Sequence, residues 1–127
     1  MSSRIILIDN FKREAKPLLK KYPSLKNELV VLQKQLLETP RMGIRIAEHV
    51  YKIRLAVKSK GRGKSGGMRI ITFVWEITVE VDENESAVDT TVFLASIYDK
   101  SEEENISDKD LEKLIDEIQK GIDDAAE

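Results

Sequence analysis

The spacing of hydrophobic positions changes several times along this 127-residue chain, and each change predicts a structural element. A short apolar run at residues 4–8 predicts a β-strand. Apolar residues then recur at helical spacing in residues 11–22 and again in residues 23–40, which predicts two helices joined by a short turn. Pro17 lies inside the first run, so we expect that helix to be kinked or to begin late. Two such amphipathic helices are expected to cover one face of a sheet.

The middle of the chain follows the period of a β-strand. In residues 51–58 apolar positions alternate with basic ones, which predicts that the apolar side chains face the helices and the basic ones lie on the opposite face. The apolar positions are Tyr51, Ile53, Leu55 and Val57, and the basic ones are Lys52, Arg54 and Lys58.

The second half of the chain predicts two more strands and a helix. Residues 68–81 are almost continuously apolar, as in a central strand, and a polar turn at 82–89 leads to a strand at 90–100. In that last strand we expect two polar residues on one face and three apolar residues on the other. The polar pair is Ser96 and Tyr98, and the apolar set is Phe93, Ala95 and Ile97. Residues 110–122 predict an amphipathic final helix.

These elements predict an α+β fold with a small, twisted, antiparallel-dominated sheet, an N-terminal helical hairpin on one face and a C-terminal helix. We expect residues 1–127 to form a single domain whose last few residues are a frayed acidic tail. The chain has no cysteine, and no apolar run approaches the roughly 20 residues that a membrane span needs. A cytoplasmic protein without a membrane partner is therefore expected.

The net charge of −2 conceals a division of charge along the chain. Residues 50–69 contain seven Lys or Arg residues and no acid, whereas residues 80–127 contain seventeen acids and four lysines. A local basic surface of this kind can attract a polyanion although the rest of the surface is acidic. No carboxylates lie in the basic segment to converge on an ion, so we expect no metal and no other cofactor.

The stretch GRGKSGG at residues 61–67 superficially matches dinucleotide and P-loop fingerprints. Both fingerprints need a helix after the loop, because the phosphates bind at the helix N-terminus. Here a strand is predicted after the loop, so we interpret the loop as a connection between antiparallel strands. Glycines in such a loop let a ligand approach the backbone closely, and the cations around it suit a phosphodiester chain. The candidate RNA-binding residues are Lys52, Arg54, Lys60, Arg62, Gly66 and Gly67.

Three blocks of the chain together resemble RelE/HigB-type toxins of type II toxin–antitoxin modules. The blocks are FKREAKPLLKKYPSLKNEL, YKIRLAVKSKGRGKSGGMRII and IYDKSEEENISDKDLEKLI, in the family's order. The resemblance implies a microbial RNase fold and an mRNA interferase that cleaves messenger RNA on the translating ribosome. It also implies a cognate antitoxin, often of helix-turn-helix type, through which the toxin reaches operator DNA only indirectly.

The same resemblance implies metal-independent cleavage, in which the ribose 2′-hydroxyl attacks the adjacent phosphate. Fixed cations stabilise the charge that gathers on the phosphoryl oxygens, and a lysine or tyrosine moves protons. Arg69 matches the arginine that opens the strand after the loop, and Lys100 lies where the family often has a basic residue. The candidate catalytic residues are Arg69, Tyr98, Lys100, Lys58 and Lys64.

Several features depart from this pattern and leave alternatives open. Many relatives use a histidine or a carboxylate in the site, but we interpret His49, the only histidine, as a surface or packing residue. Asp99 is expected to point away from Tyr98. Arg69 shares strand parity with Ile71 and Phe73, which conflicts with an open face unless a bulge intervenes. One alternative is a ParE-like toxin that poisons DNA gyrase, and another is a degenerate module that only binds RNA or its antitoxin.

Overall fold

The computed structural model describes residues 2–61, 67–101 and 105–125. The helices and strands within these ranges are β1 (Ser2–Leu7), α1 (Asp9–Lys21), α2 (Leu25–Glu38), β2 (Ile44–Ala47), β3 (Val50–Leu55), β4 (Met68–Glu80), β5 (Ser86–Asp99) and α3 (Asp108–Ala125). A short 3₁₀ turn, Lys58–Lys60, follows β3. Within the described ranges, no helix combines the length and the apolar character needed to cross a membrane.

The described strands form one five-stranded sheet in the order β1-β5-β4-β3-β2. β1 runs parallel to β5, and the other neighbouring strands are antiparallel. The predicted α+β fold with an antiparallel-dominated sheet is therefore confirmed. β2 was not predicted, and the predicted turn at 82–89 is too long because β5 already begins at Ser86.

Helices α1 and α2 cover one face of the sheet, which we call the helical face. The apolar stripe of α2 packs there, with Leu25, Leu29, Leu32 and Leu36 buried. Leu37, which directly follows the last buried residue of the stripe, is 43% exposed. α1 begins at Asp9 and continues through the exposed Pro17, so the expectation that it begins late is wrong. Ile53, Leu55 and Val57 pack against these helices, as the alternation in β3 predicted.

Helix α3 covers part of the opposite face of the sheet. Its residues Leu114 and Ile118 pack in one cluster with Ile71, Phe73 and Tyr98. Arg69 can therefore share a side of β4 with Ile71 and Phe73, because α3 covers these two apolar residues. The face opposite α1 and α2 is therefore divided between an apolar region under α3 and a basic region beside it.

A β-bulge changes the alternation in the middle of β5. Ile71 pairs with Ser96 and the next residue, Thr72, pairs with Leu94, so Ala95 is the extra residue. An extra residue reverses which side chains face which side of the sheet beyond it. Phe93 and Ala95 consequently pack in the cluster under α3, whereas Ile97 packs on the helical face. The prediction that these three residues share one face is wrong.

Candidate functional site

A row of polar side chains crosses three neighbouring strands opposite the helical face. Arg54 in β3 pairs directly with Arg69 in β4, and Arg69 pairs with Tyr98 in β5. Directly paired residues project from the same face of a sheet, with Cβ atoms about 5 Å apart. Lys52, two residues before Arg54 in β3, lies on the same face. We call the surface formed by Lys52, Arg54, Arg69 and Tyr98 the basic face.

The two arginines of this row repel each other. Arg69 is 3% exposed, and one of its terminal nitrogens, Nη1, donates a hydrogen bond to the Met68 carbonyl at 3.2 Å. Burial lowers the pKa of Arg69, and the Arg54 guanidinium lowers it further, while Tyr98 acts in the opposite direction. A guanidinium nevertheless stays charged at neutral pH. An anion bound between these cations would relieve their repulsion.

Tyr98 is the member of the basic face in β5, and it is 6% exposed. It lines a polar cleft of about 300 Å³ between the β2–β3 edge and the segment that leads into α3. Lys52 lines the same cleft, and its ammonium group donates a hydrogen bond to the Asn105 side-chain oxygen at 3.2 Å. The cleft therefore joins the tyrosine and a lysine of the basic face.

Tyr98 also borders a second polar cavity, of about 420 Å³, between α1 and α3. Glu14 lines this cavity and accepts hydrogen bonds from Asn10 and from Ser96, each at 2.8 Å. No sequence pattern indicated Glu14 or Asn105, because neither belongs to a periodic or basic pattern. Their positions follow from how α1 and the start of α3 pack against the sheet.

Lys58 lies at a different edge of the molecule. Its backbone N–H donates a 2.8 Å hydrogen bond to the Glu28 carboxylate of α2. The exposed Lys58 lines a groove of about 550 Å³ between α2 and β3, whose lining also includes Arg54. Lys58 is not among the residues that line the two cavities beside Tyr98. A catalytic role for Lys58 stays a prediction.

Lys60 lies on the helical face, contrary to the prediction that it contacts RNA. Its side chain is 5% exposed, and its ammonium group lies 2.6 Å from a carboxylate oxygen of Asp99. The Asp99 side chain is 1% exposed and points away from Tyr98, as the sequence predicted. A positive charge that is buried and paired in this way is not available to a polyanion on the basic face.

Gly67 is a packing glycine rather than an exposed contact. A Cβ atom at this position would lie 2.0 Å from the Leu55 carbonyl oxygen, so a side chain would collide with the backbone of β3. The Gly67 carbonyl in turn accepts a 3.1 Å hydrogen bond from the backbone N–H of Lys100, which follows β5. Close approach to the β3 backbone explains this glycine, and the hydrogen bond to its carbonyl fixes the backbone of Lys100 beside the end of the row. Arg62, Lys64 and Gly66 lie outside the described residues.

His49 has a packing role, as the sequence predicted. Its ring centroid lies 5.6 Å from that of Phe73 and 5.5 Å from that of Trp75. The residue has a φ of 65° in the turn between β2 and β3, and its carbonyl accepts a 2.8 Å hydrogen bond from the Val74 N–H. These contacts place His49 among the aromatic residues of β4.

Comparisons with known proteins identified no relative of this chain. No protein-family model matches the chain, and the searches of curated proteins and of solved structures gave no match. The resemblance of the three blocks to RelE/HigB-type toxins therefore stays a prediction from the sequence.

Proposed function

We propose that this protein is the toxin of a toxin–antitoxin pair and cleaves messenger RNA on the ribosome by attack of a ribose 2′-hydroxyl. The observation that carries the proposal is the row Arg54–Arg69–Tyr98, which combines two adjacent cations with a proton-transfer group on one sheet face. This combination suits a phosphodiester substrate, whose phosphate is anionic and whose cleavage moves two protons.

The first step is binding of the RNA backbone to the basic face. Arg54 is exposed and Lys52 is half-buried, so these two cations meet the phosphates first. Release of counterions from the RNA contributes to the affinity, which therefore falls as salt rises. The repulsion between Arg54 and Arg69 favours a phosphate near both guanidinium groups.

The second step is the transesterification. The 2′-oxygen forms a bond to phosphorus, the bond from phosphorus to the 5′-oxygen breaks, and a 2′,3′-cyclic phosphate and a 5′-hydroxyl result. Arg69 stabilises the charge on the phosphoryl oxygens, and Tyr98 takes part in moving the proton from the 2′-oxygen or to the 5′-oxygen. Lys100, held by Gly67 beside the row, adds a further positive charge.

The proposal includes a partner and a compartment. A toxin that stops translation requires neutralisation, so we propose a cognate antitoxin, of helix-turn-helix type, that links the toxin to operator DNA. Ribosomal messenger RNA as substrate places the protein in the cytoplasm.

A second candidate is a non-catalytic module that binds RNA or an antitoxin. It is favoured by the burial of Arg69 and Tyr98, which are 3% and 6% exposed. Among the described residues, a substrate phosphate can approach Tyr98 through the cleft beside Lys52 or through the cavity between α1 and α3. If the protein binds RNA without cleaving it, this candidate is correct.

The deciding experiment is induced expression followed by mapping of mRNA 5′ ends, with chemical analysis of the ends. We expect cleavage within translated messages, a 5′-hydroxyl on the downstream product, and relief of growth arrest by the neighbouring gene. A 5′-phosphate on the primary product would contradict the 2′-hydroxyl mechanism. Intact messages and unchanged growth at high expression would favour the non-catalytic module.

A further inference from the structure

We propose that the buried ion pair of Lys60 and Asp99 acts as a positioning element that holds the Tyr98–Lys100 end of β5 in the geometry needed for cleavage. We call Lys60, Asp99, Tyr22 and Ser101 the anchor. Its catalytic consequence depends on the function proposed above, whereas its structural part does not.

The anchor concentrates four hydrogen bonds on one carboxylate. One oxygen of Asp99, Oδ1, accepts from the Lys60 ammonium at 2.6 Å and from the Ser101 hydroxyl and N–H at 2.7 and 2.9 Å. The other oxygen, Oδ2, accepts from the Tyr22 hydroxyl at 3.0 Å. The Lys60 ammonium also lies 5.5 Å from the centre of the Tyr22 ring. Three chain segments thereby meet at Asp99: the end of α1, the turn after β3 and the end of β5.

These contacts keep Asp99 ionised. Burial by itself raises the pKa of a carboxyl group, but the hydrogen bond from Lys60, followed by those from Ser101 and Tyr22, lowers the pKa of Asp99 well below its usual range. The Asp99 carboxylate is therefore charged at neutral pH. Charged groups form shorter and more directional hydrogen bonds than neutral ones, so the anchor restricts orientation as well as distance.

Asp99 lies between two candidate catalytic residues. Its side chain points to the helical face, while Tyr98, the preceding residue, points to the basic face as strand alternation requires. A rotation of the strand about its axis that moved the Asp99 carboxylate would therefore move the Tyr98 ring in the opposite direction. The N–H of Lys100 is held by the Gly67 carbonyl at 3.1 Å, which adds a second restraint one residue further along.

Stability alone is a weak explanation for such a pair. An apolar pair of similar volume often stabilises a buried site as well as an ion pair does, because the charges lose their hydration. Position, in contrast, affects cleavage strongly, since a displacement of about 1 Å can lower a rate by about 10²-fold. The anchor explains why a lysine of the basic segment is buried against a carboxylate directly behind the basic face.

The test compares Asp99→Asn, Lys60→Met and Lys60→Arg with the surface variant Lys34→Met, which lies on the exposed side of α2. Cleavage is measured on ribosomes carrying a defined message, below the melting temperature of every variant. We expect kcat to fall about tenfold or more in Asp99→Asn and Lys60→Met with KM changed less than about twofold, because the restraint is lost while the RNA-binding cations remain. Lys60→Arg should recover part of kcat, and Lys34→Met should match the wild type.

A second readout does not depend on cleavage. Hydrogen exchange at the Lys100 amide should accelerate more in Asp99→Asn than exchange at the Leu32 amide in α2, because a core helix amide reports only the change in global stability. A raised KM with unchanged kcat would overturn the proposal and make Lys60 an RNA contact. If kcat instead falls in proportion to the melting temperature across all variants, the anchor only stabilises the fold and the positioning proposal is wrong.

The outcomes also separate this proposal from the proposed function. If the wild type cleaves no message, the enzymatic function fails, and the exchange of the Lys100 amide then decides whether the anchor orders the end of β5. If the wild type cleaves and the variants cleave equally well, the positioning proposal alone is wrong.

Discussion

A buried cation lies on each face of the sheet, and the two cations have opposite surroundings. On the helical face, Lys60 meets the carboxylate of Asp99 with both side chains buried. On the basic face, Arg69 has another cation, Arg54, as its direct cross-strand partner. A buried cation that is paired with a carboxylate holds structure together. Two cations in neighbouring strands raise the local positive potential, which favours an anion beside them.

Two tyrosines near Asp99 also differ in their contacts and in the roles we propose for them. The Tyr22 hydroxyl donates a hydrogen bond to the Asp99 carboxylate, so Tyr22 belongs to the anchor. Tyr98 lies one residue before Asp99 but on the other side of the strand, between Arg69 and the cleft beside Lys52. The residue type is the same, so the difference in proposed role comes from where each tyrosine lies in the fold.

The largest expected effect comes from breaking the pair on the helical face. Asp99→Ala leaves the Lys60 ammonium buried without its carboxylate, which should lower the free energy of unfolding by about 3–5 kcal/mol. Urea denaturation at neutral pH measures this loss. The double variant Lys60→Met with Asp99→Leu should recover most of the stability, and Asp116→Ala on the exposed side of α3 should stay within about 0.5 kcal/mol of the wild type. Equal stability of Asp99→Ala and Asp116→Ala would contradict the buried pair.

On the basic face we expect a loss of rate instead of stability. Tyr98→Phe removes only the hydroxyl, so single-turnover cleavage should slow by on the order of 10²-fold if that hydroxyl moves a proton. RNA affinity should change little. Tyr51→Phe on the helical face is the matched control and should cleave at the wild-type rate. Full activity of Tyr98→Phe would exclude the hydroxyl from the reaction and shift attention to Lys100.

Acid should distinguish the faces through Asp99. Because the pKa of Asp99 is lowered in the folded state, its contribution to stability is complete above the unfolded pKa of about 3.9 and is lost as pH falls below that value. Between about pH 5 and about pH 3, the wild type should therefore lose about 1 kcal/mol more stability than Asp99→Asn. Parallel pH profiles for the two proteins would show that Asp99 is not held in its ionised form.

The smallest effect concerns the salt dependence of RNA binding. Arg54→Gln should reduce the slope of log affinity against log salt by about 0.7, the value for one phosphate contact with a single strand. Lys60→Gln should leave the slope unchanged, because its positive charge is already paired inside the protein. A fluorescent single-stranded RNA titrated between about 50 and about 200 mM salt measures both slopes. If the Lys60 variant lowered the slope as much, the distinction between the faces would be wrong.

The sequence by itself determined the arrangement within β3 and α2 and the antiparallel relation of β3 to β4. Alternation in β3 placed Lys52 and Arg54 opposite Ile53 and Leu55, because side chains in a strand point alternately to the two faces. Helical spacing identified the buried stripe of α2. The strand-like sequence after the glycines indicated antiparallel strands, and β3 and β4 do pair in that way. Each of these conclusions depends only on neighbours in the sequence, which share a fixed local geometry.

Tertiary structure alone decided which distant residues meet. The partner of Lys60 is 39 residues away, and neither the basic pattern of its segment nor its distance from Asp99 along the chain indicates their contact. The extra residue at Ala95 reverses the faces of β5, although the sequence around it looks like a regular strand. Likewise, an amphipathic pattern defines the apolar side of α3 but not the sheet region that it covers. Register, bulges and docking are set by the packing of the whole core, so a cation's local pattern cannot tell whether it will face a carboxylate, a second cation or solvent.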